Sequence, residues 1–227
     1  SNPTGDTYSD ENIISIIEAG KAYSEEFLCI FDHAYLLHDF LPSPTQTPVW
    51  ELATNLDAKD QVAVFCSFSK VTFGGGGLAF AAAGKKLFDL LSRQRASMIV
   101  CPDKVNQMRH LEFLKDKAGV LEHMEKHAEI VRPKFEVAFK ALDVLSPEIG
   151  SYQKPTGGYF ISYDAKRPIA KRVIELCKEV GVLITPAGST YPHFHDPLDS
   201  NIRLAPTFLG VEDLEDAMEV FVTAIMI

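Results

Sequence analysis

Apolar residues near the start of the chain recur at helical spacing and then close up into a short run. Ile13, Ile14, Ile16 and Ile17 give residues 9–27 a broad apolar face. Ser9 or Asp10 can cap that segment, and acids crowd its first turn, so the pattern predicts a helix. Leu28-Cys29-Ile30-Phe31 is a continuous apolar run stopped by Asp32, the mark of a buried strand. Pro42, Pro44 and Pro48 then predict a loop, residues 62–66 a second buried strand, and residues 78–83 a third beyond the glycine run Gly74 to Gly77. Helix, strand, loop and strand in this order predict an α/β layered sheet, with binding residues at the strand ends.

From Lys85 to about Leu145 the pattern is helical, over 103–115 and again over 120–145, where Pro133 should kink or divide the helix. After Pro147 the texture changes. Residues 158–163, 182–185 and 202–204 read as strands, 166–180 as a helix, and 211–226 as a final amphipathic helix. A domain boundary is placed near residue 125, giving domains 1–125 and 126–227.

Composition narrows the function. With 46% apolar and 23% charged residues the chain reads as globular, one large domain or two small ones. A net charge of −9 argues against nucleic acid and against anionic membrane surfaces, both of which select basic patches. The longest apolar runs fall far short of the ~20 residues that span a bilayer. The polar N-terminus lacks the basic-then-apolar start of a signal peptide. Cys29, Cys66, Cys101 and Cys177 are scattered without a CxxC, three of them in apolar stretches. Buried free thiols and a cytoplasmic location are expected. The opening Ser1-Asn2-Pro3-Thr4-Gly5 is turn-type and has no initiator Met. It predicts either remnant residues or a chain whose upstream segment has been removed.

Several short stretches could carry chemistry. Asp32-His33-Ala34-Tyr35 ends a predicted strand, where side chains of an α/β sheet meet ligands; it could equally be a polar turn. Ser67-Phe68-Ser69-Lys70 ends the next one. A lysine just beyond a buried strand can be partly desolvated, which suits Schiff-base chemistry, and two neighbouring hydroxyls could bind phosphate. The plain alternative is a surface lysine. Arg203, flanked by Ile202 and Leu204, is either an edge residue facing solvent or a carboxylate clamp. His193-Phe194-His195-Asp196 alternates as metal ligands do, yet beside Pro192 and Pro197 it reads as loop polarity or pocket lining, and no metal site is expected.

In combination these stretches are more specific. Asn2-Pro3-Thr4-Gly5, Asp32-x-Ala34-Tyr35, Ser67-x-Ser69-Lys70, the glycine run, Pro155-x-Gly157-Gly158-Tyr159-Phe160 and Ile202-Arg203-Leu204 occur in an order that resembles the class I aminotransferases, fold type I of the pyridoxal 5′-phosphate (PLP) enzymes. The Asp32-to-Lys70 spacing of 38 (70 − 32) is similar to that family's. Residues 1–11, 104–134 and 199–208 look closer still to its MocR-like subgroup, and the resemblance covers essentially the whole chain.

The resemblance implies an α/β fold: the C-terminal part of a PLP-binding large domain with a mostly parallel sheet over 1–125, and a small C-terminal α+β domain over 126–227. It implies Lys70 as the Schiff-base lysine and proton shuttle, Asp32 as the partner of the pyridine nitrogen, and Tyr35 and Asn2 as donors to the ring's O3′ oxygen. Ser67 and Ser69 would hold the phosphate, and Arg203 the substrate α-carboxylate. Pro3 would follow a cis peptide bond. The substrates implied are an amino acid, aspartate-like or alanine, and a 2-oxo acid, with a homodimer in the complete protein. Alternatives are another fold-type-I reaction such as a lyase, or a non-catalytic PLP-binding effector domain of a transcriptional regulator. Two departures stand out. Leu78 occupies the position, eight residues after the lysine, where many members carry a phosphate-binding Arg; backbone N–H groups of Gly74 to Gly77 would take up that work. The family's N-terminal part is also missing, so residues 1–227 alone are expected to be an inactive fragment.

Overall fold

A computed structural model describes residues 2–42 and 46–227; Ser1 of the opening turn and Pro44 of the proline-rich loop lie outside the described residues. The chain forms two compact units, one of residues 8–38 and 46–124, the other of residues 2–7, 39–42 and 125–227. The fold class is α/β, as the sequence implied.

The first unit begins with helix α1 (Asp10–Tyr23). Ser9 caps it through a reciprocal pair: its hydroxyl accepts the Asn12 N–H at 3.3 Å, and the Asn12 side-chain oxygen accepts the Ser9 N–H. The helix stops four residues short of the predicted end. Phe27 folds back onto Gly20, where any Cβ would lie within 1.9 Å of the ring.

Strand β1 (Cys29–His33) and strand β2 (Val62–Ser67) are parallel, and β3 (Ala79–Ala83) joins β2 antiparallel. β1 is half-buried rather than fully buried. Cys29, Phe31 and His33 share one face, while Ile30 and Asp32 are exposed on the other, so Asp32 lies inside the strand it was expected to terminate. One helix lies where only a loop was predicted. In α2 (Val49–Asn55) Pro48 supplies the start, and Val49, Leu52 and Ala53 bury one stripe against Ile13, Ile17 and Val62. Helix α3 (Lys85–Met98) buries no residue, and α4 (Lys104–Leu114), capped by the Asp103 side chain, buries His110 and Leu114.

The second unit is built on α5 (Lys117–Leu142), which begins in the first unit and runs through Pro133 without dividing. Ala128, Val131, Phe135, Ala138, Phe139 and Leu142 form one buried stripe at helical spacing, which holds both halves of the helix to the same core. Strands β4 (Gly150–Tyr152), β5 (Ile161–Ala165) and β6 (Asn201–Leu204) form an antiparallel sheet in that order, with β6 at an edge. Helices α6 (Ala170–Glu179) and α7 (Val211–Met226) close the core, where Tyr163 meets Phe221 edge-on at 5.8 Å.

Residues 182–185, predicted as a strand, form none. The Val182 N–H is committed to Cys177 O, closing the end of α6 with Gly181 at φ +93°. Of the four free thiols only Cys177 is buried; Cys29 and Cys66 are half-buried and Cys101 is exposed, against the expectation of buried thiols. Among the described residues no helix is long and apolar enough to cross a membrane.

Candidate functional site

In the first unit, β1 and β2 run parallel with Asp32 opposite Phe65 and His33 opposite Cys66, so their C-terminal ends lie side by side. Those ends carry five of the sequence-predicted residues, Asp32 and Ser67 in the last residues of the strands and Tyr35, Ser69 and Lys70 in the loops that follow, as expected for a parallel sheet. Asp32, Phe65 and Ser67 share one face of the sheet with Ala79 and Ala81, whose small side chains leave that face low. The Asp32 carboxylate accepts the Ala34 N–H at 3.1 Å, which turns the chain toward Tyr35. Lys70 is half-buried, and its Nζ lies 4.9 Å from the centroid of the Tyr35 ring.

Ser67 and Ser69 sit together, their hydroxyl oxygens 2.5 Å apart, and the Ser69 N–H donates to Ser67 Oγ at 3.0 Å. Gly77 lies directly against them: a Cβ there would fall 2.5 Å from Ser69 N and 2.7 Å from its hydroxyl. Gly75 needs its own freedom at φ +77°, while the Gly76 N–H is already committed to Phe73 O. Leu78 contributes through its backbone, its carbonyl accepting the Phe68 N–H at 2.7 Å. Burial pushes the His33 imidazole pKa down, against the pull of the Asp32 carboxylate.

This donor set fits PLP. Hydroxyls suit a phosphate, a carboxylate suits a protonated ring nitrogen, and an amine at the strand end suits a covalent link. Three residues of the neighbourhood carried no signal in the sequence: His38, His110 and His123 bond to Lys70 O, the Thr72 hydroxyl and Val71 O.

Asn2 and Arg203 belong to the second unit, the other five to the first. Arg203 is half-buried on edge strand β6. Its Nη1 donates to Asn2 Oδ1 at 3.0 Å and its Nη2 to the Thr185 hydroxyl at 3.5 Å; the guanidinium carbon lies 4.5 Å from the Phe160 ring centroid. Nε is buried with no hydrogen-bond partner among the described residues. A planar cation held this way, with N–H capacity left over, suits a carboxylate. The Asn2-Pro3 peptide is cis, as the motif implied, and Gly5 at φ +79° packs on Pro155 and the Phe160 carbonyl.

Behind Arg203 the polar groups are satisfied internally. Asn201 donates to Ser162 Oγ and Asp164 Oδ1, and accepts the Thr190 hydroxyl. Asp196 accepts the N–H groups of Leu198, Ser200 and Asn201. Burial alone would raise the Asp196 pKa, but these donors outweigh it and hold the carboxyl below its ordinary value. The His193-to-Asp196 stretch is thus a structural corner, and no cluster of metal ligands occurs among the described residues.

The sequence profile of the aspartate aminotransferase family matches residues 1–227. An aspartate aminotransferase of Corynebacterium glutamicum is 35% identical over 230 residues, covering 100% of this chain and 53% of that protein. A crystal structure of an aspartate transaminase from the same organism superposes with a TM-score of 0.93 at 33% identity, over 100% of this chain and 54% of the other. The α-aminoadipate aminotransferase LysN of Thermus thermophilus, solved with N-(5′-phosphopyridoxyl)-L-leucine, shares the fold at a TM-score of 0.82 and 24% identity, over 99% of this chain and 56% of its own. The chain spans about half the length of the curated relatives it matches. It belongs to the aspartate aminotransferase family.

Proposed function

We propose that the chain is the lysine-bearing part of a PLP-dependent aminotransferase that moves an amino group from an aspartate-like amino acid or alanine to a 2-oxo acid. The observation that carries this reading is the grouping of Asp32, Tyr35, Ser67, Ser69 and Lys70 at the adjoining ends of two parallel strands. When bound, PLP supplies an electron sink for the pair left behind as the amino acid's Cα proton departs.

The chain's own residues do the rest. Lys70 would hold the cofactor covalently and, once displaced by substrate, its amine would take and return the Cα proton. The Asp32 carboxylate would keep the ring nitrogen protonated. Tyr35 would donate to the ring's O3′ oxygen, joined by the Asn2 amide nitrogen, since the Asn2 oxygen accepts from Arg203. Ser67 and Ser69 would bind the phosphate with hydroxyls, where many members use an Arg at the position of Leu78. Arg203 would take the substrate α-carboxylate in a two-bond fork that a lysine cannot copy. In this reading the unit bearing Lys70 is the C-terminal part of the PLP-binding large domain, near residues 1–125, and residues 126–227 make up most of the small domain. A cytoplasmic homodimer completes it, supported by the unpaired cysteines and the exposed apolar faces of the first unit.

The test is covalent. Borohydride reduction of the holoenzyme should fix the cofactor to Lys70 alone, and Lys70→Ala should lower turnover by orders of magnitude, since the link and the proton carrier go together. A label on Lys85 or Lys86 would overturn the assignment.

A further inference from the structure

Lys70, Val71 and Thr72 are each bonded by a histidine, and the three histidines come from three different places in the unit. His38, in the loop after β1, reaches Lys70 O through Nε2 at 3.0 Å. His123, in α5, reaches Val71 O through Nε2 at 2.6 Å. His110, in α4, places Nε2 2.9 Å from the Thr72 hydroxyl and anchors Nδ1 on Asn106 O. A carbonyl can only accept, so His38 and His123 must carry their protons on Nε2, and His110 on Nδ1. Each ring is itself held by an aromatic neighbour: His38 meets Tyr35 at 5.5 Å, His110 meets Phe73 at 5.2 Å, and His123 meets Phe113 at 5.1 Å.

The turn they grip is short and closed. The Val71 and Thr72 N–H groups both donate to Phe68 O at 3.0 Å, and Val71 is buried. The lysine side chain leaves this turn on a flexible four-carbon stem. Where its amine can reach is therefore set first by how firmly residues 68–72 are held. The aromatic neighbour of His38 differs from those of the other two. The His38 ring, 2% exposed, touches the Tyr35 ring over which the Lys70 amine lies, so one side chain ties the lysine's backbone to the aromatic that its amine faces.

We propose that His38 is a positioning residue that holds Lys70 in register with Tyr35, with His123 and His110 fixing the two residues that follow. This rests on the reading of Lys70 as the cofactor lysine. His38 does not touch the reacting atoms; it acts through the Lys70 carbonyl and the Tyr35 ring. A misplacement of about 1 Å can cost a factor of about 10² in rate, because approach and alignment are lost together.

The experiment measures how fast Lys70 is captured. The apo form of the enzyme is mixed with PLP, quenched with borohydride at successive times, and the label on Lys70 is counted by mass spectrometry; kcat and KM are measured on the same preparations. His38→Leu should slow capture about 10- to 100-fold and lower kcat by a similar factor, with KM within about threefold of the parent. His38→Gln, whose amide nitrogen can donate from nearly the same place as Nε2, should recover most of both. His123→Leu and His123→Gln form a second pair at a half-buried position, usable if the buried His38→Leu fails to fold, with the same direction and a smaller effect. Parent-like capture in the Leu variants, or Gln variants no faster than Leu at equal thermal stability, would overturn the proposal. A Lys70→Ala control separates the two readings: label appearing elsewhere in that variant and in the parent alike would sink the assignment of Lys70, not the role of His38.

Discussion

Phe135, Tyr163 and Phe221 are each at most 1% exposed in the unit that carries Arg203, whereas none of the fourteen residues of α3, in the unit that carries Lys70, is fully buried. The two units are similar in length but unlike in closure. The second packs α5, α6 and α7 with its sheet around one large buried cluster, against the small cluster of the first. The first buries one sheet face against α1 and α2, while Ile30 on the other face is 61% exposed, and Phe80 on edge strand β3 and Phe88, Met108, Leu111 and Phe113 on α3 and α4 are about half exposed or more. Where side chains are locked by packing, a functional group inherits its position from the core. Around Lys70 that support is thin, and polar bonds to the backbone supply the precision instead.

The contrast can be broken most directly by removing a core ring. Phe135→Ala should cost about 3–5 kcal/mol, read from urea unfolding, because Phe135 is fully buried and stacks on Phe40 at 4.2 Å. A cost under about 1 kcal/mol would mean that the second unit is no tighter than the first. The next effect is catalytic. If Arg203 holds the substrate carboxylate as proposed, Arg203→Lys should lower kcat/KM by the equivalent of about 2–4 kcal/mol for every amino acid substrate while thermal stability and cofactor binding hold, since the core beneath it is unchanged. Near-parental kinetics would make Arg203 an edge charge whose bonds to Asn2 and Thr185 are its whole role.

Legibility in the sequence followed the same divide between local and distant causes. α1, β2 and α7 could be read because cap, apolar run and helical stripe are all encoded within a few neighbouring residues. The DxAY and SxSK stretches were legible as motifs, and the parallel pairing of β1 with β2 gives them a common edge. α2 was hidden because Pro48 reads as a loop residue until it is seen to start a helix. The half-burial of β1 was hidden because an unbroken apolar run looks the same whether one face is covered or two. The histidine bonds span 32, 38 and 52 residues, and no spacing rule connects such positions before the fold does. Asp196 was legible only as loop polarity for a related reason: its actual partners are backbone N–H groups, which a sequence does not display.

The smallest predicted effect probes the open face itself. Phe88 is 52% exposed on a helix with no buried residue, and Phe and Ser have similar helix propensities. Phe88→Ser in residues 1–227 should therefore change the unfolding free energy by no more than about 0.5 kcal/mol, the range of surface substitutions away from packed features. It should also reduce self-association in sedimentation, because it removes an aromatic from an exposed apolar stretch that includes Leu90 and Met98. The two readouts together decide what the exposure means. A loss of 2 kcal/mol or more that depends on protein concentration would show that α3 is covered in solution by another copy, and the first unit would then owe its closure to assembly. A loss of that size independent of concentration would mean that α3 packs within its own chain, and the difference between the two units would largely disappear.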